Sequence, residues 1–394
     1  MAGPGVNFEG KTDTPRNGIE PTQVKSIKLI SDLDDGALND GSRKIKEKSG
    51  LVYGKTYTFK VETYTNDAPK DPSMIKWAVS YTDNETGKFH KNALEGPNSG
   101  DEISITFNDA NGCGNNLEIK AYINDMDNEG KLTLFKHNRF RFFDRQALKS
   151  EIQQRMNTGK DVDQGQSSMC AIALIGHFLA IQKPSDYERI ILDMHRTGDA
   201  IVPSTQYKIK LDSDEHLIKI KDSDATYPNN SNGGKMSYAD FIFLFTIKDY
   251  LNGVFDYDPD GANAGGVVEG GTGLTLPHEV ASMMKNILAY SDVKNETNLV
   301  TSKWASAKNS ANELSDLLTN GYSVGLLITA GNFQNNNKGT FTIPNHWVGL
   351  KGVTLDEKNE KVVLTLFTWG DISKVWTVSY DPFEDGYFGY VAGK

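Results

Sequence analysis

A glutamine and a cysteine six residues apart carry the first chemical signal. Gln164 and Cys170 lie in Asp161-Val-Asp-Gln-Gly-Gln-Ser-Ser-Met-Cys170, directly ahead of the apolar run Ala171-Ile-Ala-Leu-Ile-Gly-His-Phe-Leu-Ala-Ile181. The Gly/Ser-rich turn followed by an apolar run predicts a cysteine in the first turn of a buried helix. A helix N-terminus carries partial positive charge and free N–H groups, which favour a thiolate over a thiol. The Gln164 amide and the Cys170 backbone N–H are two donors for the oxyanion formed when a thiolate attacks a carbonyl. Such chemistry also needs a base and a group that orients it.

Seven histidines are available. His177 lies seven residues beyond Cys170 on the same helix, about 10 Å away, so it is read as structural. His90, His137 and His216 fall at turns or strand ends, His195 at a helix end, and His278 at a helix start. His346 opens the strand His346-Trp-Val-Gly-Leu-Lys-Gly-Val-Thr-Leu355, which a polar turn, Asp356–Lys361, joins to Val362–Asp371. Folding this hairpin about its midpoint sets His346 across from Thr368–Asp371. Asp371, with Thr368 as the alternative, is then placed to hold the outer ring nitrogen, completing a nucleophile–base–orienter set.

The elements around these residues divide the chain. Residues 1–22 read as a flexible leader, poor in large apolar side chains. From 23 to 143, alternating segments at 55–64, 75–81, 102–107, 117–123 and 131–135 are separated by turn clusters, which predicts a β-sandwich. A helix capped by Asp144 opens a second domain, 144–394. Helices after Cys170 and Pro184 and over 238–251, 277–289 and 304–318 precede strands at 322–329, 347–355, 361–368 and 374–380. Helices first and antiparallel strands last is an α+β arrangement.

Composition excludes several classes. The 394 residues carry a formal net charge of −10, against a nucleic-acid footprint. No apolar run reaches spanning length, and the N-terminus has no ordinary signal peptide. Two cysteines, Cys113 and Cys170, are too few for a disulfide framework or Cys-rich zinc site. Cys113, in a Gly/Asn loop, reads as a bystander. Asp125, Asp127 and Gly130 read as a hairpin turn. Asp256-Tyr-Asp-Pro-Asp-Gly261 starts like a calcium loop, but Val267 stands where the glutamate belongs, so it reads as a solvated turn. The glycine run 265–273 lacks the Lys-Ser/Thr of a phosphate loop and reads as a flap beside the cleft. No cofactor or metal is expected.

Gln164-Gly165 followed by Cys170, the later His346-Trp-Val-Gly-Leu-Lys-Gly and Thr368-Trp-Gly-Asp371 resemble the motifs of papain-like cysteine peptidases, in the same order along the chain. Arg196-Thr-Gly, Gly270-Gly-Thr-Gly-Leu-Thr-Leu-Pro-His-Glu279 and Phe388-Gly-Tyr-Val391 are similar to papain-like toxin domains of bacterial contractile (type VI) secretion systems. The resemblance covers residues 145–394. Residues 23–143 resemble the immunoglobulin-like modules of bacterial effectors. Two departures stand out: Ala171 replaces the aromatic after the nucleophile, and Phe367 falls where papain has its asparagine.

The resemblance implies a Cys170–His346 ion pair, a Gln164 oxyanion donor and cleavage of a protein in a target cell. It implies synthesis in a bacterial cytoplasm and export without a signal peptide by a dedicated machine. The β domain would dock onto a secretion-apparatus component, and an immunity protein would be a further partner. Two other outcomes fit the same residues: deamidation or acyl transfer on glutamine, and a non-enzymatic adaptor with a degenerate papain fold.

Overall fold

The computed structural model describes residues 21–43, 47–94, 98–158, 162–165, 167–211, 216–252, 275–302, 305–338 and 343–394. Nearly all of the expected leader, Asp161, Gln166, the acidic turn 256–261 and the glycine run 265–273 lie outside them. The chain is mixed α+β with antiparallel sheets. Among the described residues no helix is long and apolar enough to cross a membrane.

The N-terminal strands are β1 (Val24–Leu29), β2 (Asp34–Ala37), β3 (Glu47–Val52), β4 (Thr56–Tyr64), β5 (Lys76–Thr82), β6 (Phe89–His90), β7 (Glu102–Thr106), β8 (Asn116–Tyr122) and β9 (Gly130–His137). The five segments expected from alternation are β4, β5, β7, β8 and β9. Tyr57, Phe59 and Val61 of β4 are buried while Thr58 and Lys60 between them are not, which is the period of a strand with one apolar face.

Contacts group the chain into two compact units: residues 1–32, 56–106 and 116–134, and residues 33–55, 107–115 and 135–394. The boundary expected at 143/144 is a single cut, whereas the packing interleaves. In the first unit β4 pairs antiparallel with β1 and β7, and β5 pairs antiparallel with β8 and β6. In the second, Leu51 and Val52 of β3 pair in parallel with Lys136 and His137 at the end of β9. Segment 33–55 therefore belongs with the later chain, a long-range pairing that local alternation cannot reveal.

The second unit continues with α1 (Arg145–Thr158), α2 (Cys170–Gln182), α3 (Pro184–Thr197), β10 (Asp199–Ile201), β11 (Lys208–Lys210), α4 (His216–Lys219), α5 (Tyr238–Asn252) and α6 (Pro277–Asn286). It ends with β12 (Val293–Thr297), α7 (Ala307–Thr319), β13 (Ser323–Ile328), α8 (Ala330–Asn335), β14 (His346–Asp356), β15 (Lys361–Thr368), β16 (Asp371–Ser379), α9 (Tyr380–Gly386) and β17 (Tyr387–Gly393). Asp144 caps α1 as expected, accepting from the N–H groups of Gln146 and Ala147 at 2.8 and 3.0 Å. Gly198, left-handed at φ 83°, ends α3.

An antiparallel sheet in the order β12-β17-β13-β14-β15-β16 organises this unit. Its inner strands are apolar on both faces. Leu327, Trp347, Phe367 and Val391 join the core that holds α2 and α5, while Leu326, Val348, Leu366 and Tyr390 join a second core with α7 and α9. Strand β17 lies between β12 and β13 and is buried along its length. Two-sided burial removes the alternation that marks a half-exposed strand, so β17 carries no such signal in the sequence.

Candidate active site around Cys170

Cys170 begins α2, where the sequence placed it. Thirteen residues with no charge form this helix, buried from Cys170 to Ala180, which is the pattern of a core helix. Two glycines set how it meets the sheet. Gly325 and Gly349 are cross-strand partners on β13 and β14. A Cβ on either would fall 2.6 or 2.8 Å from a Leu174 methyl carbon, so the pair forms a notch that receives Leu174. Cys170 is four residues before Leu174 on the same helical face, about 6 Å along the axis. Trp347 is two residues before Gly349 on the same sheet face, about 6.8 Å along the strand. The two spacings nearly match, and the Trp347 N–H donates to Cys170 Sγ at 3.3 Å. Covalent geometry then puts the sulfur within about 6 Å of the His346 Cα.

His346 is held on two sides. Its Nε2 is 2.7 Å from Thr368 Oγ1. Trp369 stacks on the ring at 4.2 Å between centroids and 12° between planes. Trp369 and Gly370 link β15 to β16 with φ of 45° and 73°, so both lie in the left-handed region of a type I′ hairpin. An aromatic residue at the first such position is strained. The conformation lays the indole against the imidazole.

The sequence preferred Asp371 as the orienting residue; the structure gives that contact to Thr368. Asp371 is exposed, and its Oδ1 accepts from the Ser373 N–H at 2.9 Å. It pairs with Thr368 across the hairpin but on β16, one strand further than β15 from β14, which carries His346. Phe367 stacks on His177 at 3.9 Å, which gives His177 the structural role expected of it.

Gln164 is buried, and its Nε2 donates to Ser167 O at 2.8 Å while its backbone oxygen accepts from Ser167 Oγ at 2.6 Å. The next residue must be glycine: Gly165 has φ +60°, and a Cβ there would lie 2.0 Å from Asn229 O. Asp163, not singled out from the sequence, fastens this turn. Its carboxylate accepts from Gly165 N at 2.8 Å, Ser231 N at 2.8 Å and Ser231 Oγ at 2.5 Å. The buried Arg155–Asp240 pair, 2.7 Å, lies behind it, since Asp240 also accepts from the Asp163 backbone. An Asp two residues before a positive-φ glycine is the signal that could have revealed this anchor.

Burial dominates the electrostatics. It pushes the Cys170 thiol up to about 11, against the N–H groups of Trp347, Ala171 and Cys170 and the charge of Lys248. It pushes the His346 imidazole down to about 4. The expected thiolate–imidazolium pair is therefore disfavoured in this arrangement, because each lone charge loses its hydration.

Cys113 is buried, 4.0 Å from Arg196 O, and burial raises its thiol as well. His195 is wholly buried; Arg145 donates to Nδ1 at 3.3 Å, so Nε2 carries the proton and donates to Phe143 O at 2.9 Å. It packs at the end of α3. Among the described residues no cluster of His, Cys, Asp or Glu could hold a metal ion. A separate surface cleft of about 680 Å³, lined by Lys294, Glu313, Tyr322, Tyr390 and Lys394 among others, shares no residue with the site. No known protein family, curated protein or solved structure matches this chain.

Proposed function

We propose that the second unit is a papain-like cysteine hydrolase acting on a peptide bond of a protein substrate. The observation that carries this reading is the pair of contacts that brackets the reaction: Trp347 N–H on Cys170 Sγ, and Thr368 Oγ1 on the far nitrogen of His346. With Nε2–H donating to Thr368, Nδ1 holds the lone pair. His346 then takes the thiol proton as the sulfur attacks the carbonyl, and returns it to the leaving amine. Water hydrolyses the thioester. The Cys170 N–H and the second hydrogen of the Gln164 amide are the oxyanion donors. Because burial favours neutral groups, proton transfer accompanies attack and no ion pair stands ready beforehand.

In the wider proposal the chain is a bacterial effector made in the cytoplasm and delivered to a target cell by a dedicated secretion machine. The strands of the first unit form an immunoglobulin-like β-sandwich that docks onto that machine, and an immunity protein blocks the site in the producer. These assignments rest on the resemblance of the motifs around Gln164, Cys170, His346 and Thr368.

One observation favours a second reading. Cys170 and His346 are only 4% and 5% exposed, as in a binding protein that has kept the fold but not the activity. Incubating the protein and its Cys170→Ala variant with a proteome-derived peptide mixture separates the cases by mass spectrometry. New termini formed by the unaltered protein alone support the peptidase. A gain of about one dalton at glutamine, without cleavage, replaces it with a deamidase. No Cys170-dependent change across the mixture, together with no reaction of Cys170 with a peptidyl vinyl sulfone, sinks the hydrolase and leaves the binding protein.

A further inference from the structure

A carboxylate that is only 7% exposed, as in Asp163, must be met by donors. It meets three, and they come from two segments. Its Oδ1 accepts from the Gly165 N–H two residues on, which closes an Asx turn with Gln164 at the apex. Ser231 supplies the other two, its Oγ to Oδ1 and its N–H to Oδ2. Ser231 lies on the largely exposed loop 229–235, closed at its base by the Met236 N–H on Pro228 O at 2.9 Å.

A third segment abuts the same carboxylate. A Cβ on Gly370 would lie 3.3 Å from Asp163 Cβ and Cγ and 3.5 Å from Oδ2. The Gly370 Cα is therefore within about 5 Å of the carboxyl carbon. Gly370 follows Trp369, whose indole stacks on His346, and Thr368, whose Oγ1 meets His346 Nε2. One side chain thus lies against both the turn that carries Gln164 and the hairpin turn that holds His346.

We infer that Asp163 is a positioning residue that sets the Gln164 oxyanion donor and the His346 base in one frame. The inference rests on the hydrolase reading. Asp163 touches no reacting atom; it acts through the Gln164 turn and through the hairpin turn at Trp369 and Gly370. Attack by Cys170 needs donor and base at fixed distances from one carbonyl, and a shift of about 1 Å in either costs roughly 10²-fold in rate.

The test uses the full chain and two readouts. The first is labelling of Cys170 by a peptidyl vinyl sulfone, resolved into a maximal rate and a half-saturating concentration. Asp163→Asn keeps the shape but sets an amide N–H₂ against at least one of the three donors. It should lower the maximal rate by about 10²-fold and move half-saturation less than about threefold. The second readout is the NMR titration of the His346 imidazole. Loss of the carboxylate charge alone would lower its midpoint, whereas a loosened hairpin turn lets water reach the ring and raises it. A rise of about half a unit or more is expected. In folded Asp163→Asn, an unmoved or lowered midpoint, or a maximal rate within about twofold of the unaltered protein, overturns the inference. Should Asp163→Asn not fold, Ser231→Ala and Ser231→Thr decide. The first removes the hydroxyl bond and should lower the maximal rate about fivefold, and the second keeps it and should stay within about twofold. Equal rates in the two overturn the inference. If the unaltered protein takes no label, the hydrolase reading falls by itself, and a raised midpoint in Asp163→Asn keeps the link between the carboxylate and the His346 hairpin.

Discussion

His346 Nε2 lies 2.7 Å from Thr368 Oγ1, and this is the contact through which the β15–β16 hairpin grips the imidazole. A hydroxyl can fix the tautomer, but it brings no charge to stabilise an imidazolium. Thr368→Val keeps the shape and removes the hydrogen bond. Labelling of Cys170 by a peptidyl vinyl sulfone should fall by about 10²-fold in Thr368→Val and less than about twofold in Asp371→Asn. A larger loss in Asp371→Asn would return the orienting role to the carboxylate.

Trp369 covers the same ring and holds a left-handed backbone to do so. Replacing it with glycine removes the stack and the strain together. The two effects oppose each other at about 1 kcal/mol each, so the thermal midpoint should move little. The imidazole gains water, and its titration should rise from about 4 toward the ordinary value near 6.5. Imidazole NMR shifts across pH 3–8 read this directly, and an unmoved midpoint would show that other groups keep the ring dry.

The Leu174 notch makes a packing prediction. Gly349→Ala puts a methyl 2.8 Å from Leu174 Cδ1 and should cost about 1–3 kcal/mol in urea unfolding. Leu174→Ala alone should cost about 2–5 kcal/mol as a cavity. The double variant should be more stable than the sum of the two losses, since each relieves the other. Simple additivity would mean that the two residues do not share the contact.

Two buried histidines tie stability to pH. Burial holds both His137 and His346 near 4 in the folded chain, below about 6.5 when unfolded. Between these values the unfolded chain binds more protons, so stability is full above 6.5 and falls as pH drops toward 4. Each histidine contributes at most about 3 kcal/mol across this window. His137→Gln should flatten the dependence of the urea midpoint on pH from 6.5 to 4; an equally steep slope would place the titration elsewhere. At the other end Cys170, raised to about 11, remains protonated when an unfolded thiol ionises near 8.5. Stability should therefore fall as pH climbs from 8.5 to 11, and Cys170→Ser should lessen that fall.

The sequence alone determined the local pieces. The uncharged run after Cys170 makes a core helix wherever it sits, and Asp144 caps α1 through bonds two and three residues away. Counting out from the polar turn at 356–361 sets His346 opposite the Thr368–Asp371 segment, to within the one-residue register shift between Leu350 and Gly352. Each of these depends on periodicity or on neighbours in the chain. Tertiary structure decided the rest. Thr368 rather than Asp371 meets the ring because β15 lies beside β14 and β16 lies one strand further out. The acid–base state of the site was likewise beyond the sequence: the helix N-terminus argued for a thiolate, and burial, a property of the whole packed core, outweighs it.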